Sequence, residues 1–112
     1  MKILTEKSLN EAIKLCFKND GYRVLIVTKY AEDHLPILDC LQQFGAEVTR
    51  CIGHPWAKFP NNSIINMISC AANLKGRKAN LVLCQDDVYN DYEEIRYTLP
   101  FIETTNRDFK LF

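Results

Sequence analysis

Apolar residues recur with helical spacing near the start of the chain. They form one face of an amphipathic helix, made of Leu9, Ala12, Ile13, Cys16 and Phe17. Ser8 followed by Glu11 has the spacing of a capping box, and residues 19–21 (Asn-Asp-Gly) are typical of a helix end. The pattern predicts a helix that begins at Ser8 and ends before Gly21.

A nearly continuous apolar run follows at residues 22–29, as expected for a parallel strand that is buried on both faces. Residues 33–44 then carry Leu35, Leu38, Leu41 and Phe44 at three-residue steps, and Gly45 supplies a left-handed exit. Residues 46–52 predict another strand. Strand, helix and strand therefore follow one another as in a right-handed crossover unit.

The second half of the chain has shorter elements. Residues 54–62 contain two prolines and two asparagines and are predicted to be a loop, whereas residues 63–70 and 80–84 are predicted strands. Residues 88–99 have a helical pattern that Pro100 closes, and the last dozen residues are predicted to form a docked tail. We therefore expect residues 1–112 to form a single α/β domain, a three-layer Rossmann-like fold with a mainly parallel sheet of four or five strands.

Composition narrows the function classes. The chain has 112 residues with 14 basic and 14 acidic side chains, so no overall charge attracts it to nucleic acid or to an anionic membrane. We find no signal peptide and no apolar run that could span a membrane. The five cysteines are widely spaced in apolar segments, which is typical of reduced core thiols. We expect a cytoplasmic protein, without a zinc site.

A family resemblance begins at residues 63–86. This segment contains a predicted strand, then Leu74, Lys75 and Gly76, and then an apolar strand with an acidic end. In this order of elements it resembles the ATPase core of phage large terminases and, more loosely, that of helicases of the P-loop class. The segment 21–30 (GYRVLIVTKY) is similar to the strand that follows the P-loop helix in these families. The resemblance implies a viral protein of the DNA-packaging type, with Lys7 and Ser8 at the nucleotide-binding position.

The departures from that family concern the catalytic groups. A P-loop needs glycines to curl around phosphate, but the corresponding positions are Met1 and Glu6. Gln85 stands where the resemblance places the Mg²⁺-organising carboxylate, so only Asp86 and Asp87 are left as weak catalytic or Mg²⁺ candidates. The alternative roles are structural, namely a helix cap for Ser8 and a first helical turn for the two aspartates. We expect no catalysis and no required cofactor, and a small Mg²⁺-dependent nucleotide-binding enzyme is the alternative.

A second resemblance covers the middle of the chain. Residues 23–29 and 44–50 are similar to the opening of response-regulator receiver domains, in which residues 80–86 would present the phosphorylated aspartate. Thr28 and Lys29 replace the expected acidic pair, and Gln85 occupies the acceptor position. This resemblance implies at most a pseudo-receiver interaction domain.

The remaining candidates are basic and aromatic. One group surrounds the predicted loop, and the other precedes the last strand; their members are Arg50, His54, Trp56 and Lys58, and Lys75, Arg77 and Lys78. In parallel sheets ligands bind beyond the carboxyl ends of strands, where these side chains can contact phosphates and Trp56 can stack on a base. The sequence therefore predicts a regulatory binding module for DNA or a protein partner, with a homodimer as a further alternative. A Cys51 thiol paired with His34 or His54 is a weaker catalytic candidate.

Overall fold

A computed structural model describes residues 1–51, 54–69, 74 and 77–103. Its helices are α1 (Glu6–Lys18), α2 (His34–Gln43), α3 (Asp86–Asp91) and α4 (Glu93–Ile102), and a 3-10 turn (Ala31–Asp33) precedes α2. Its strands are β1 (Lys2–Ile3), β2 (Arg23–Thr28), β3 (Glu47–Thr49), β4 (Trp56–Lys58), β5 (Ile64–Ser69) and β6 (Leu81–Cys84). None of the described helices is long and apolar enough to cross a membrane.

The strands form one mixed sheet in the order β1-β6-β2-β5-β4-β3. Strands β1, β6, β2 and β5 pair in parallel, whereas β4 is antiparallel to both of its neighbours. The predicted α/β class with a mostly parallel sheet is therefore confirmed and is compatible with a Rossmann-like fold. The predicted strand number is wrong, because the described residues form six strands.

Buried side chains lie on both faces of the sheet because the pleat sends alternate residues of each strand to opposite sides. One cluster joins α1 and α2 to Val24 and Ile26, and the other joins α3 and α4 to Leu25 and Val27. Burial on both faces explains the unbroken apolar run of β2, as the sequence indicated.

Strand β4 lies inside the segment that the sequence predicts to be a loop. Pro55 precedes the strand and Pro60 lies in the turn behind it, so neither proline interrupts a ladder hydrogen bond. Phe59 N–H donates to the carbonyl of Ser63 over 2.8 Å, and Asn62 adopts the left-handed φ of 68° that the turn requires. The two prolines and two asparagines frame a β4–β5 hairpin.

The first helix begins earlier than predicted. Thr5 is its N-cap and Ser8 is its third residue, and their side chains each accept a hydrogen bond from the backbone N–H of the other. The prediction of Ser8 as the cap is therefore wrong by three positions. A strand that the sequence pattern did not predict, β1, precedes this helix; it is only two residues long and is parallel to β6.

The predicted helix 88–99 is divided in two. Tyr92 has an extended backbone (φ −122°, ψ 96°), so α3 ends before it and α4 starts after it. Pro100 lies inside α4 and does not close it. Of the predicted tail, Phe101 and Ile102 belong to the last turn of α4 and Glu103 is the last described residue. The rest of the tail, together with Lys75 and Gly76, lies outside the described residues.

Candidate functional site

Parallel strands bring several chain segments to one edge of the sheet. The carboxyl ends of β2, β5 and β6 share this edge, and β3 ends there too because β3 and β5 are both antiparallel to β4. The amino end of β4 and the start of α2 are the next elements at this edge. It is the position at which open α/β sheets bind ligands.

The proposed nucleotide position at the start of α1 is occupied by helix-capping contacts. The hydroxyl oxygen of Ser8 lies 2.8 Å from the carbonyl of Ile3 and accepts from the N–H of Thr5, also over 2.8 Å. Thr5 caps the helix, and Glu6 adds a negative charge to its first turn. Lys7 is exposed. This arrangement favours the structural role of Ser8 and opposes phosphate binding at this helix end.

Gln85 connects three segments at the carboxyl edge. Its side-chain oxygen accepts from the N–H of Lys29 over 2.8 Å, and its amide nitrogen donates to the carboxylate of Asp33 over 3.3 Å. Asp86 and Asp87 are exposed in the first turn of α3, where Asp86 accepts from Asn90 over 2.9 Å. Within the described ranges no three His, Cys, Asp or Glu side chains converge on a metal position.

The two predicted basic groups lie apart. Arg50, beyond β3, forms an ion pair of 2.7 Å with Asp39, whereas Lys78 precedes β6 and donates to the carbonyl of Phe101 over 3.0 Å. Four strand spacings of about 4.8 Å separate β3 from β6, and Arg50 follows a strand end whereas Lys78 precedes a strand start, so these two side chains also lie at opposite ends of the strands. Arg77 is partly buried in the same segment as Lys78. The described members of the two groups therefore do not form one basic surface.

Trp56 lies on the face of β4 that points away from α1 and α2, because its neighbour Ala57 is buried against those helices. It stands between Thr49 on β3 and Asn66 on β5, and Lys58 occupies the next position on the same face. Trp56 is half-buried, and among the described residues no member of β3 or β4 enters the cluster of α3 and α4. His54 is exposed just before the strand.

A cavity of about 210 Å³ lies between the start of α2 and the end of β3. His34, Arg50 and Cys51 contribute polar groups to its lining. His34 is only 2% exposed, and its Nε2 lies 2.6 Å from the hydroxyl oxygen of Thr28. Its other ring nitrogen, Nδ1, has no hydrogen-bond partner within the described structure.

The protonation of His34 follows from its neighbour. The Thr28 hydroxyl lies 3.0 Å from the carbonyl of Tyr30, which can only accept, so we assign the hydroxyl hydrogen to that bond. Nε2 of His34 must then donate to Thr28, which leaves a lone pair on Nδ1. Burial lowers the pKa of His34 below its ordinary value, although the carbonyl of Ile68 and the charge of Asp33 act in the opposite direction.

The pKa of His34 predicts a loss of stability in weak acid. An unfolded histidine has a pKa of about 6.5, so below that pH the unfolded chain binds a proton that the folded chain resists. His34 should therefore leave stability unaffected above about pH 6.5 and lower it, by up to about 1.4 kcal/mol per pH unit, as the pH falls toward its folded pKa. Urea unfolding between pH 5 and 8 measures this slope.

The chain contains its own control for this titration. His54 is exposed, so His54→Gln should leave the pH profile unchanged, whereas His34→Gln should flatten it. An equal response of the two variants would show that burial of His34 does not control the profile.

The four described cysteines are free thiols. Burial raises the pKa of Cys16 to about 12 and that of Cys84 to about 11, so both stay protonated. Cys51 is exposed and Cys40 is partly buried. Cys70 lies outside the described residues.

Together, the sheet and its carboxyl edge define an α/β domain with a candidate ligand site. Comparison of the chain with protein-family models, characterised proteins and solved structures gives no match. The resemblances to terminase or helicase cores and to receiver domains therefore stay predictions.

The sequence indicated His34 only as a weaker catalytic partner of Cys51, which lines the same cavity, and did not indicate its contact with Thr28. The sequence pattern that could have indicated the burial of His34 is the buried stripe of α2, which consists of His34, Leu38 and Leu41 at four- and three-residue steps. The predicted stripe instead included Leu35 and Phe44, which are 51% and 46% exposed. A helical period of 3.6 rather than 3 residues places His34 in the core.

Proposed function

We propose that the chain is a non-catalytic binding module that holds single-stranded DNA on the sheet face around Trp56. In this proposal it is a three-layer Rossmann-like remnant of a terminase or helicase core and acts as a cytoplasmic, viral regulatory protein. The position of Trp56 on β4, partly exposed beside polar strand neighbours, is the observation that carries the proposal. Proteins that bind single strands use such aromatic side chains as stacking platforms.

The neighbours of Trp56 suit a nucleotide. Asn66 and Thr49 offer hydrogen-bonding groups to a base edge or a sugar, and Lys58 can contact one phosphate. The neutral chain and the separation of the basic groups limit the number of phosphate contacts to about one or two, so the slope of log K against log salt should be about −1. Duplex DNA, which hides its base faces, should bind more weakly.

The fluorescence of Trp56 tests this proposal directly, because it is the only tryptophan in the chain. An oligo-dT strand should quench it, and Trp56→Leu should weaken binding of a labelled strand by about tenfold because stacking is lost. Lys58→Gln should reduce the salt slope by about 0.7. Phe101→Leu, which changes an aromatic side chain that is 78% exposed on α4, is the matched control.

Two results contradict the proposal, namely the absence of saturable quenching and an equal loss of affinity in Trp56→Leu and Phe101→Leu.

A protein partner, including a second copy of the chain, is the second candidate. It is favoured by Tyr97 and Phe101, which lie one turn apart on α4 and are 69% and 78% exposed. The homodimer is favoured if sedimentation shows a dimer for the parent chain and a monomer for the Tyr97→Ser, Phe101→Ser double variant.

The enzyme alternative makes a different prediction. A Mg²⁺-dependent nucleotide enzyme should be stabilised against heat by ATP with Mg²⁺, and Asp86→Ala should remove that effect. The exposed position of Asp86 and the capping contacts of Ser8 favour the non-catalytic proposal. A pseudo-receiver domain, like the DNA-binding module, would not be stabilised by ATP with Mg²⁺, and unlike that module it would not bind oligo-dT.

A further inference from the structure

The cavity beside His34 lies on the opposite side of the sheet from Trp56. Arg50 reaches the α2 side, where its Nη2 donates to Asp39, while Trp56 projects from the other face. The cavity and the Trp56 face are therefore separate surfaces.

The cavity walls are mainly aliphatic, formed by Leu35, Leu38, Ala31 and Pro55. Its volume of about 210 Å³ lies below the range of roughly 300–1,000 Å³ typical of sites for drug-sized molecules. A molecule of one or two fused rings suits this space. Apolar walls select such a ring by burial of its surface.

Two polar groups of the cavity, the His34 ring and the Arg50 guanidinium, determine which hydrogen-bonding groups a ligand needs. Nδ1 of His34 is a buried acceptor without a hydrogen-bond partner among the described residues, which is unusual in folded proteins and unfavourable until a donor reaches it. Arg50 uses only its Nη2 in hydrogen bonds with described residues, so its other guanidinium N–H groups can donate to a ligand. A ligand therefore needs an N–H group at one end and an acceptor or a negative charge at the other.

We propose that this cavity binds a small heteroaromatic acid, whose ring N–H donates to Nδ1 of His34 and whose carboxylate accepts from Arg50. Thr28 acts as a positioning residue, because its hydroxyl fixes the tautomer that leaves Nδ1 as the acceptor. Cys51 and Glu32 complete the polar part of the lining. Binding needs no chemical step.

A matched pair of probes tests the hydrogen bond to His34. Indole-3-carboxylate has the ring N–H, and 1-methylindole-3-carboxylate has the same body and charge without it. Titration of ¹⁵N-labelled protein should move the Nδ1 resonance of His34 to saturation with the first probe. The second should bind at least about fivefold more weakly, because the buried acceptor stays unpaired.

Two variants test the cavity itself. Arg50→Gln should weaken indole-3-carboxylate by about tenfold through loss of a charged hydrogen bond, and Ala31→Phe, a change at an exposed position, should block the cavity without disturbing the core. Equal affinity for the two probes overturns the proposal. An Nδ1 resonance that does not respond to either probe also overturns it, since water alone then satisfies His34.

Discussion

Replacing Ser63 with alanine should lower the free energy of unfolding by about 2–3 kcal/mol, a large share of the stability of a small domain. Ser63 is fully buried at the start of β5. Its hydroxyl accepts from the N–H of Tyr22 over 3.1 Å and lies 2.6 Å from the carbonyl of Asn19, to which it donates. Alanine leaves both backbone groups buried without that partner. Urea unfolding monitored by circular dichroism measures the loss.

The position of Ser63 explains why this effect should exceed that of an ordinary serine. Its hydroxyl is also 3.0 Å from the carbonyl of Cys16, so one side chain ties the end of α1 to the start of β2 and β5. The side-chain nitrogen of Asn61 donates to the same two carbonyls, and its oxygen accepts from the N–H of Ser63, whereas the N–H of Tyr22 donates to Ser63 itself. Ser69→Ala, at the partly exposed other end of β5, is the matched control and should change stability by less than about 0.5 kcal/mol. Equal losses in both variants would refute this account.

The sequence predicts those elements whose burial is set by local pattern. Strand β2 is an unbroken apolar run because its residues alternate between two buried clusters, so the run reports a central parallel strand directly. Helix α1 is amphipathic over its length, and Gly21 adopts a left-handed φ of 68° in the turn that leads from its C-cap, Asn19, to β2. These features depend on neighbours along the chain, which is why the α/β class followed from them.

Short strands that are defined by their pairing with other strands were harder to predict from the sequence. Strand β4 has only three residues and exists because β3 and β5 pair on either side of it, while its prolines favour a loop by local rules. Strand β1 has two residues and is defined by its pairing with β6. In both cases hydrogen bonds to neighbouring strands decide the structure, long-range ones for β1 and those of a hairpin for β4, and a segment of two or three residues gives no periodic signal of them.

The candidate sites show the same contrast between features set by the local sequence and features set by the pairing and packing of other elements. The sequence predicts a strand over residues 46–52 that includes Arg50, whereas β3 ends at Thr49 and Arg50 follows it. The sequence could not place Arg50 and Trp56 on opposite faces, because that depends on the register of β4 against β3. The contact between Thr28 and His34 similarly depends on how α2 packs on the sheet.

Replacing Leu99 with alanine should be the most destabilising of the changes considered, at about 3 kcal/mol or more. Leu99 has no exposed surface and packs with Ile95, Ile102 and Val27 in the cluster that attaches α4 to the sheet. Alanine removes three carbon atoms from that cluster and leaves a cavity. The midpoint of thermal unfolding should fall by on the order of 10 °C.

A control in the same helix separates packing from helix propensity. Tyr97 is 69% exposed, so Tyr97→Ala introduces the same residue into α4 without opening the core, and alanine is the better helix former. Its stability should stay within about 0.5 kcal/mol of the parent. Since Pro100 lies inside α4 and removes one backbone hydrogen bond, tertiary contacts such as those of Leu99 must hold this helix. Equal stability of Leu99→Ala and the parent would mean that α4 is not docked on the sheet.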